Sequence, residues 1–245
     1  MRPIGIDNAW FSFKGIKSTT MGVRMSAPPV RMHPERKGEW EDRPGTDGEL
    51  WIDGGGYNNI TVQQPIIVLD TADIDRVNAW LTGYGELVFG DEPDRAYKAR
   101  IAQSFTRTNT VKRLRGQTIT VPFNCSPFRY EADPVSAITI SEPRMLNNPG
   151  TVEALPLIAV YGSGNGTLMI GDGSMLIDDL TPGTPIMIDC EAKRIYTGNG
   201  TPADPYLPAN DKAYGDWLRL LPGTNGVNFS GGITEIVIAP RWRWI

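Results

Sequence analysis

The sequence predicts an all-β protein with one short helix, and three observations lead there. Its 27 glycines and 20 prolines are scattered along 245 residues rather than gathered in one tract. The short runs between them alternate apolar and polar side chains, the period of a half-buried strand. A single segment repeats its apolar residues at helical spacing instead.

In chain order, Phe11, Phe13 and Ile16 open with alternation. Residues 27–45 are rich in proline and charge and show no period, which predicts an arm or long loop. Residues 60–69 predict a strand in which Pro65 marks an edge or a bulge. The helix follows: Thr71 caps it, Asp73 and Asp75 suit its first turn, Ile74, Val77, Trp80 and Leu81 form one apolar face, and Gly83 ends it. Leu87-Val88-Phe89 and residues 96–103 then flank a turn at Gly90-Asp91-Glu92-Pro93-Asp94. Ile119, Val121 and Phe123 alternate in the last strand of a first domain, 1–132, that closes near Cys125–Tyr130, before a linker at Glu131-Ala132-Asp133-Pro134.

The second domain, 133–245, restarts the strand pattern at Ile138 and Ile140. Further runs lie at 157–161, 167–170, 175–177, 186–190 and 194–196, and with the Trp217–Leu220 run, a turn at Pro222–Asn225 and a strand at 227–230 they indicate a β-sandwich. Gly162-Ser163-Gly164-Asn165-Gly166-Thr167 reads as a hairpin turn, because no lysine and no helix follow it as a phosphate loop requires. The chain closes on Pro240-Arg241-Trp242-Arg243-Trp244-Ile245, with two tryptophans in the last four residues. Thr234, Ile236, Ile238, Pro240, Trp242 and Trp244 share one parity, so a single strand would present this mostly apolar row to a core or a partner and turn Arg241 and Arg243 away.

Composition excludes several functions. Net charge is −4, and the longest basic cluster, Val111-Lys112-Arg113-Leu114-Arg115, reads as a solvated strand face rather than a nucleic-acid footprint. No apolar run reaches the length of a membrane helix, and the N-terminus has no secretory pattern, so synthesis in a cytosol and a soluble product are expected. Cys125 and Cys190 fall in different domains and are expected as buried thiols. His33, the single histidine, lacks partners for a triad, and no metal-ligand spacing is present, so no catalytic residue, metal or cofactor is expected. The aromatic clusters, Trp10, Phe11 and Phe13, Trp40 and Trp51, Trp217, and the terminal pair, fit core and subunit packing, with sugar stacking in a carbohydrate-binding module as the alternative.

Several landmarks in order resemble the distal tail proteins of long non-contractile-tailed bacteriophages, the siphovirus tail-component family. They are Phe11–Ser18 with Gly22-Val23, Pro44–Leu50, Val77–Leu81, Gly85–Phe89, Asp91–Ala99 and Cys125–Tyr130, then Asn148–Thr151, Pro156–Ile158 and Pro240–Trp244. The resemblance implies a structural virion protein rather than an enzyme, with an N-terminal β-sandwich or split-barrel-like domain and a C-terminal galectin-like β-sandwich. It also implies a homo-hexameric ring at the tail tip, between the tail tube protein and the baseplate hub or fibre protein, assembled in the host cytoplasm and leaving a channel for DNA. Sugar-binding members carry large insertions in the C-terminal half, for which this chain has no room. His33, Trp40, Trp51 and Tyr57 are the candidate residues of an arm reaching a neighbouring subunit, and Trp242 and Trp244 those of C-terminal docking.

Overall fold

The computed structural model describes residues 9–69, 73–101, 107–109, 117–133, 137–201 and 204–245. Thr71, Pro134 and the basic cluster at 111–115 lie outside the described residues. The chain is all-β with one short helix, and it divides into two compact units, Met1–Ala132 with Ile245, and Asp133–Trp244.

The first unit carries β1 (Phe11–Phe13), β2 (Ile16–Lys17), β3 (Val23–Met25), β4 (Arg36–Asp42), β5 (Glu49–Tyr57), β6 (Ile60–Val68), α1 (Ile74–Trp80), β7 (Gly83–Phe89), β8 (Glu92–Ile101), β9 (Arg107–Asn109) and β10 (Gln117–Glu131). Its sheet runs β2-β1-β7-β8-β10-β6-β3, with β9 also on β10, while β4 and β5 pair only with each other. Alternation puts Ile60, Val62, Ile66 and Val68 of β6 and Val121 and Phe123 of β10 into one core with Phe11, Phe13 and Phe89. The helix closes that core. Trp80 stacks on Phe11 at 5.4 Å, and its indole N–H donates to the Phe13 carbonyl at 2.9 Å.

Two expectations change here. The helix cap is Asp73, whose carboxylate accepts the N–H groups of Asp75 and Arg76, both at 3.1 Å. Pro65 is not at an edge: it lies opposite Thr120 of β10, and β3 flanks β6 on the other side. It is tolerated because β3 pairs only with Ile66–Val68, so the side of Pro65 lacking an N–H faces the end of that ladder, where its carbonyl accepts Ser26 N–H at 3.0 Å.

The second unit carries β11 (Ile138–Ile140), β12 (Arg144–Asn148), β13 (Leu157–Ile170), β14 (Gly173–Leu180), β15 (Ile186–Asp189), β16 (Arg194–Thr197), β17 (Leu207–Pro208), β18 (Ala213–Gly215) and β19 (Gly223–Ala239). The expected turn at Gly162–Thr167 is absent: these residues lie within β13, which runs through as one strand of 14 residues beside β19, one of 17. Each long strand serves two layers. Leu157–Val160 of β13 pair with β15 while its later residues pair with β14, and β19 pairs with β12 near its start and β11 near its end. The crossover is made by glycine. A Cβ on Gly162 would stand 2.1 Å from the Gly232 carbonyl oxygen, and the register shifts at this place, as bulges that let a strand change sheet require. Ile158, Val160, Ile236 and Ile238 from one half meet Leu168, Ile170, Ile177 and Val227 from the other in one core, which makes the unit a sandwich.

The Trp217–Leu220 run is not a strand; Leu218 and Leu220 are buried, and only Leu220 bridges, to Ala154.

Candidate subunit-interface arm and C-terminal anchor

The second half of the segment expected as an arm or long loop enters a hairpin, β4 on β5, and almost none of that hairpin is buried. That explains the missing period, since alternation is imposed by a buried face and this hairpin has none. Trp40 lies directly opposite Trp51, with ring centroids 5.0 Å apart and Trp40 62% exposed. Gly38 makes room, because a Cβ there would meet the Trp51 ring at 2.3 Å.

Toward its base, Arg36 pairs with Asp53 at 2.5 Å, and its guanidinium lies over Tyr57. Arg36 and the Gly55 N–H hold the Asp53 carboxyl below the usual range. Tyr57 packs edge-on against Phe128 of β10 at 5.5 Å, and Asn58 N–H donates to the Glu35 carbonyl at 2.8 Å, so the two ends of the hairpin are tied together. His33 stands apart. It is exposed three residues before the hairpin, with Nδ1 3.0 Å from the Pro34 carbonyl oxygen. The structure thus brings Trp40 and Trp51 together, seats Tyr57 at the root, and leaves His33 out.

Just upstream lies a feature that sequence reading missed. Arg31 forms a bidentate pair with Asp91 in the β7–β8 turn, both bonds 2.8 Å, and its guanidinium lies over Phe89. Asp91 is nearly buried, so this pair fixes the start of the arm to the sheet. Sixty residues separate the partners, and no spacing motif announces them.

At the other end of the chain, Trp242 and Trp244 are buried, at 4% and 8% exposure, in the core of the second unit. They do not extend one continuous strand. The register with β13 shifts near Thr234, and Arg241 takes a left-handed φ of 55° that ends β19. The even-numbered residues Ile236, Ile238, Pro240, Trp242 and Trp244 are nonetheless all buried, as the parity predicts, while Thr234 is exposed and Arg243 is buried rather than turned outward. Its guanidinium donates to the Glu153 carbonyl at 2.5 and 2.7 Å, its own carbonyl accepts Thr151 N–H at 3.1 Å, and Trp244 donates to the Pro149 carbonyl at 3.2 Å. Arg241 is pinned by Asp189 at 2.8 and 3.2 Å. Burial pushes the Asp189 carboxyl up, but hydrogen bonds from Arg241 and from the Ala192 and Glu191 N–H groups outweigh it and hold the group below its usual range.

Cys125 and Cys190 are free and buried, and burial pushes each thiol up to about 12, far from a reactive thiolate. Among the described residues no cluster of three or more His, Cys, Asp or Glu side chains could hold a metal ion, and no helix is long and apolar enough to cross a membrane.

No family model matches the chain, and no curated protein matches it. Among solved structures it is similar to the Dit protein of phage SPP1, described as a paradigm of the hub adsorption apparatus of phages that infect Gram-positive bacteria. Identity is 17% and the TM-score 0.67, over 96% of this chain and 99% of that one. The chain has the Dit fold. A chain of the phage P2 baseplate, in its activated conformation with calcium, is similar at 9% identity and a TM-score of 0.47, over 90% of this chain and 91% of that one.

Proposed function

We propose that the chain is a structural subunit of a phage tail tip. Six copies close a ring through domain 1–132, the ring joins the tail tube protein to the hub or fibre protein, and DNA passes through it without specific binding. Domain 133–245, a galectin-like β-sandwich, projects outward, and the whole resides in the virion after assembly in the bacterial cytoplasm. In this role the protein is not an enzyme and needs no cofactor.

The observation that carries the reading is the likeness to a hub protein over almost the full length of both chains. The hairpin supports it: exposed Trp40, Leu50 and Ile52 on a two-stranded ribbon are the surface an isolated monomer does not keep without use. We assign the arm role to Trp40 and Trp51, with Tyr57 as its root, and the anchoring of the second domain to Trp242 and Trp244. The rival reading, a carbohydrate-binding module contacting the host cell wall, loses most of its aromatic platforms, since Phe11, Phe13, Trp242 and Trp244 are buried.

Negative-stain imaging of the purified full-length chain at micromolar concentration tests the proposal. Class averages with six-fold symmetry are the expected result; a field of single particles would refute the ring.

A further inference from the structure

The charge of this chain is not spread evenly. Residues 39–52 of the hairpin, its blade, carry Glu39, Glu41, Asp42, Asp47 and Glu49 against Arg43, a net charge of −4. The rest of domain 1–132 holds 16 basic and 11 acidic side chains, net +5, and domain 133–245 holds 7 and 12, net −5. A blade of this sign, with Trp40, Leu50 and Ile52 exposed on it, is attracted to the body of a first domain and repelled by a second domain. Charge thus selects another copy's domain 1–132 as the surface that covers it.

On the blade, rings and carboxylates share one face. Residues directly opposite on paired strands point the same way, so Trp40 with Trp51 forms one row and Asp42 with Glu49 the next, two residues or about 7 Å further along. Like charges directly opposite destabilise a ribbon, and a cation seated between Asp42 and Glu49 removes that repulsion.

The complement stands on the outer face of the first sheet. Tyr84 of β7 lies directly opposite Arg100 of β8, and both are exposed, Tyr84 at 61%. Lys98 follows Arg100 on the same face, its ammonium 4.3 Å from the centre of the Tyr130 ring, and Glu86 opposite Lys98 borders the patch. Tyr84 and Arg100 sit on neighbouring strands with Cβ atoms about 5 Å apart, so a ribbon crossing β7 and β8 sets its aromatic row on the first and its acidic row on the second. We propose that in the ring the blade of one copy lies across β7 and β8 of the next, with Trp40 and Trp51 on Tyr84 and the Asp42–Glu49 pair on Arg100. Such a contact presupposes the ring reading above and gives the arm its seat.

Sedimentation velocity of the purified full-length chain at micromolar concentration, wild type beside variants, tests this seat. Glu49→Arg and Arg100→Glu, both at exposed side chains, should each weaken assembly by about tenfold or more, as like charges brought together at an interface do, with unchanged melting curves. Combined in one chain, the two changes restore opposite charges at every contact between arm and seat, and hexamers should return. Tyr84→Ala should cause a several-fold loss and takes the place of Arg100→Glu if that variant does not fold. Hexamers formed as readily by Arg100→Glu and Tyr84→Ala as by wild type, or a double variant no better assembled than either single one, overturn the seat and leave the ring standing. A wild type that stays monomeric throughout refutes the ring and takes the seat with it.

Discussion

The two tryptophan pairs of this chain are alike in composition and opposite in circumstance. Trp242 and Trp244 sit in a core, where the Arg243 carbonyl between them accepts Thr151 N–H and the Trp244 indole N–H donates to the Pro149 carbonyl. Trp40 and Trp51 face each other across an isolated ribbon and are covered mainly by one another. The first pair completes its own domain. The second has its geometry fixed by Gly38 and by the Arg36–Asp53 pair, but its apolar surface is left for something else to cover. Clustered aromatics therefore mark a place where water is excluded, and the surrounding ladder decides whether the same chain does the excluding.

The contrast can be broken most directly at the arm. Because Asn58 N–H already reaches the Glu35 carbonyl, residues 36–57 can be excised and the ends joined by a short glycine linker. Light scattering should then report monomer in place of the proposed hexamer while the protein stays soluble; hexamers persisting at micromolar concentration would remove the arm from the interface. This cut is cleaner than deleting residues 28–44, which would also take Val30 and Arg31, the residues that bridge to Gln63 and pair with Asp91.

Next in size is Trp242→Ala, expected to destabilise the second unit by about 3–5 kcal/mol, as removal of a large buried aromatic does. Chemical denaturation followed by far-UV circular dichroism checks it, and an unshifted midpoint would mean that the ring is not part of the core. Arg241→Ala should cost about 1 kcal/mol by freeing the pinned turn. Its pH dependence has a definite sign: Asp189 is held below its usual value near 3.8, so the pair contributes fully above that pH and is lost as pH falls below it. Melting temperatures of wild type and Arg241→Ala should converge on acidification, and a constant gap would exclude the pair as the cause. The smallest effect is that of Trp40→Ala on folding, less than about 0.5 kcal/mol for an exposed side chain, although the same change should weaken assembly.

The helix and most short strands were legible, because burial on one face writes a period into the sequence. The cap was misplaced by two positions since Thr71 and Asp73 are both competent acceptors, and only the described geometry of Asp73 separates them. The hairpin arm left no period to read. The long strands β13 and β19 were broken in two by the reading because a glycine-rich bulge and a glycine-rich turn use the same residues; the difference lies in the partner strand, Gly231 and Gly232, some 65 residues away. Strand β12 was missed for a plainer reason, as only Leu146 and Asn148 of its five residues are buried.

Strands β13 and β19 pass from one layer of the second unit into the other without a break in the chain. In sandwiches joined only by side chains, a pull that slides the layers apart opposes dispersion contacts alone. Here the same displacement would have to stretch two covalent backbones and shear the long hydrogen-bonded ladder between β13 and β19. The second unit should therefore yield to force in a single event at high load.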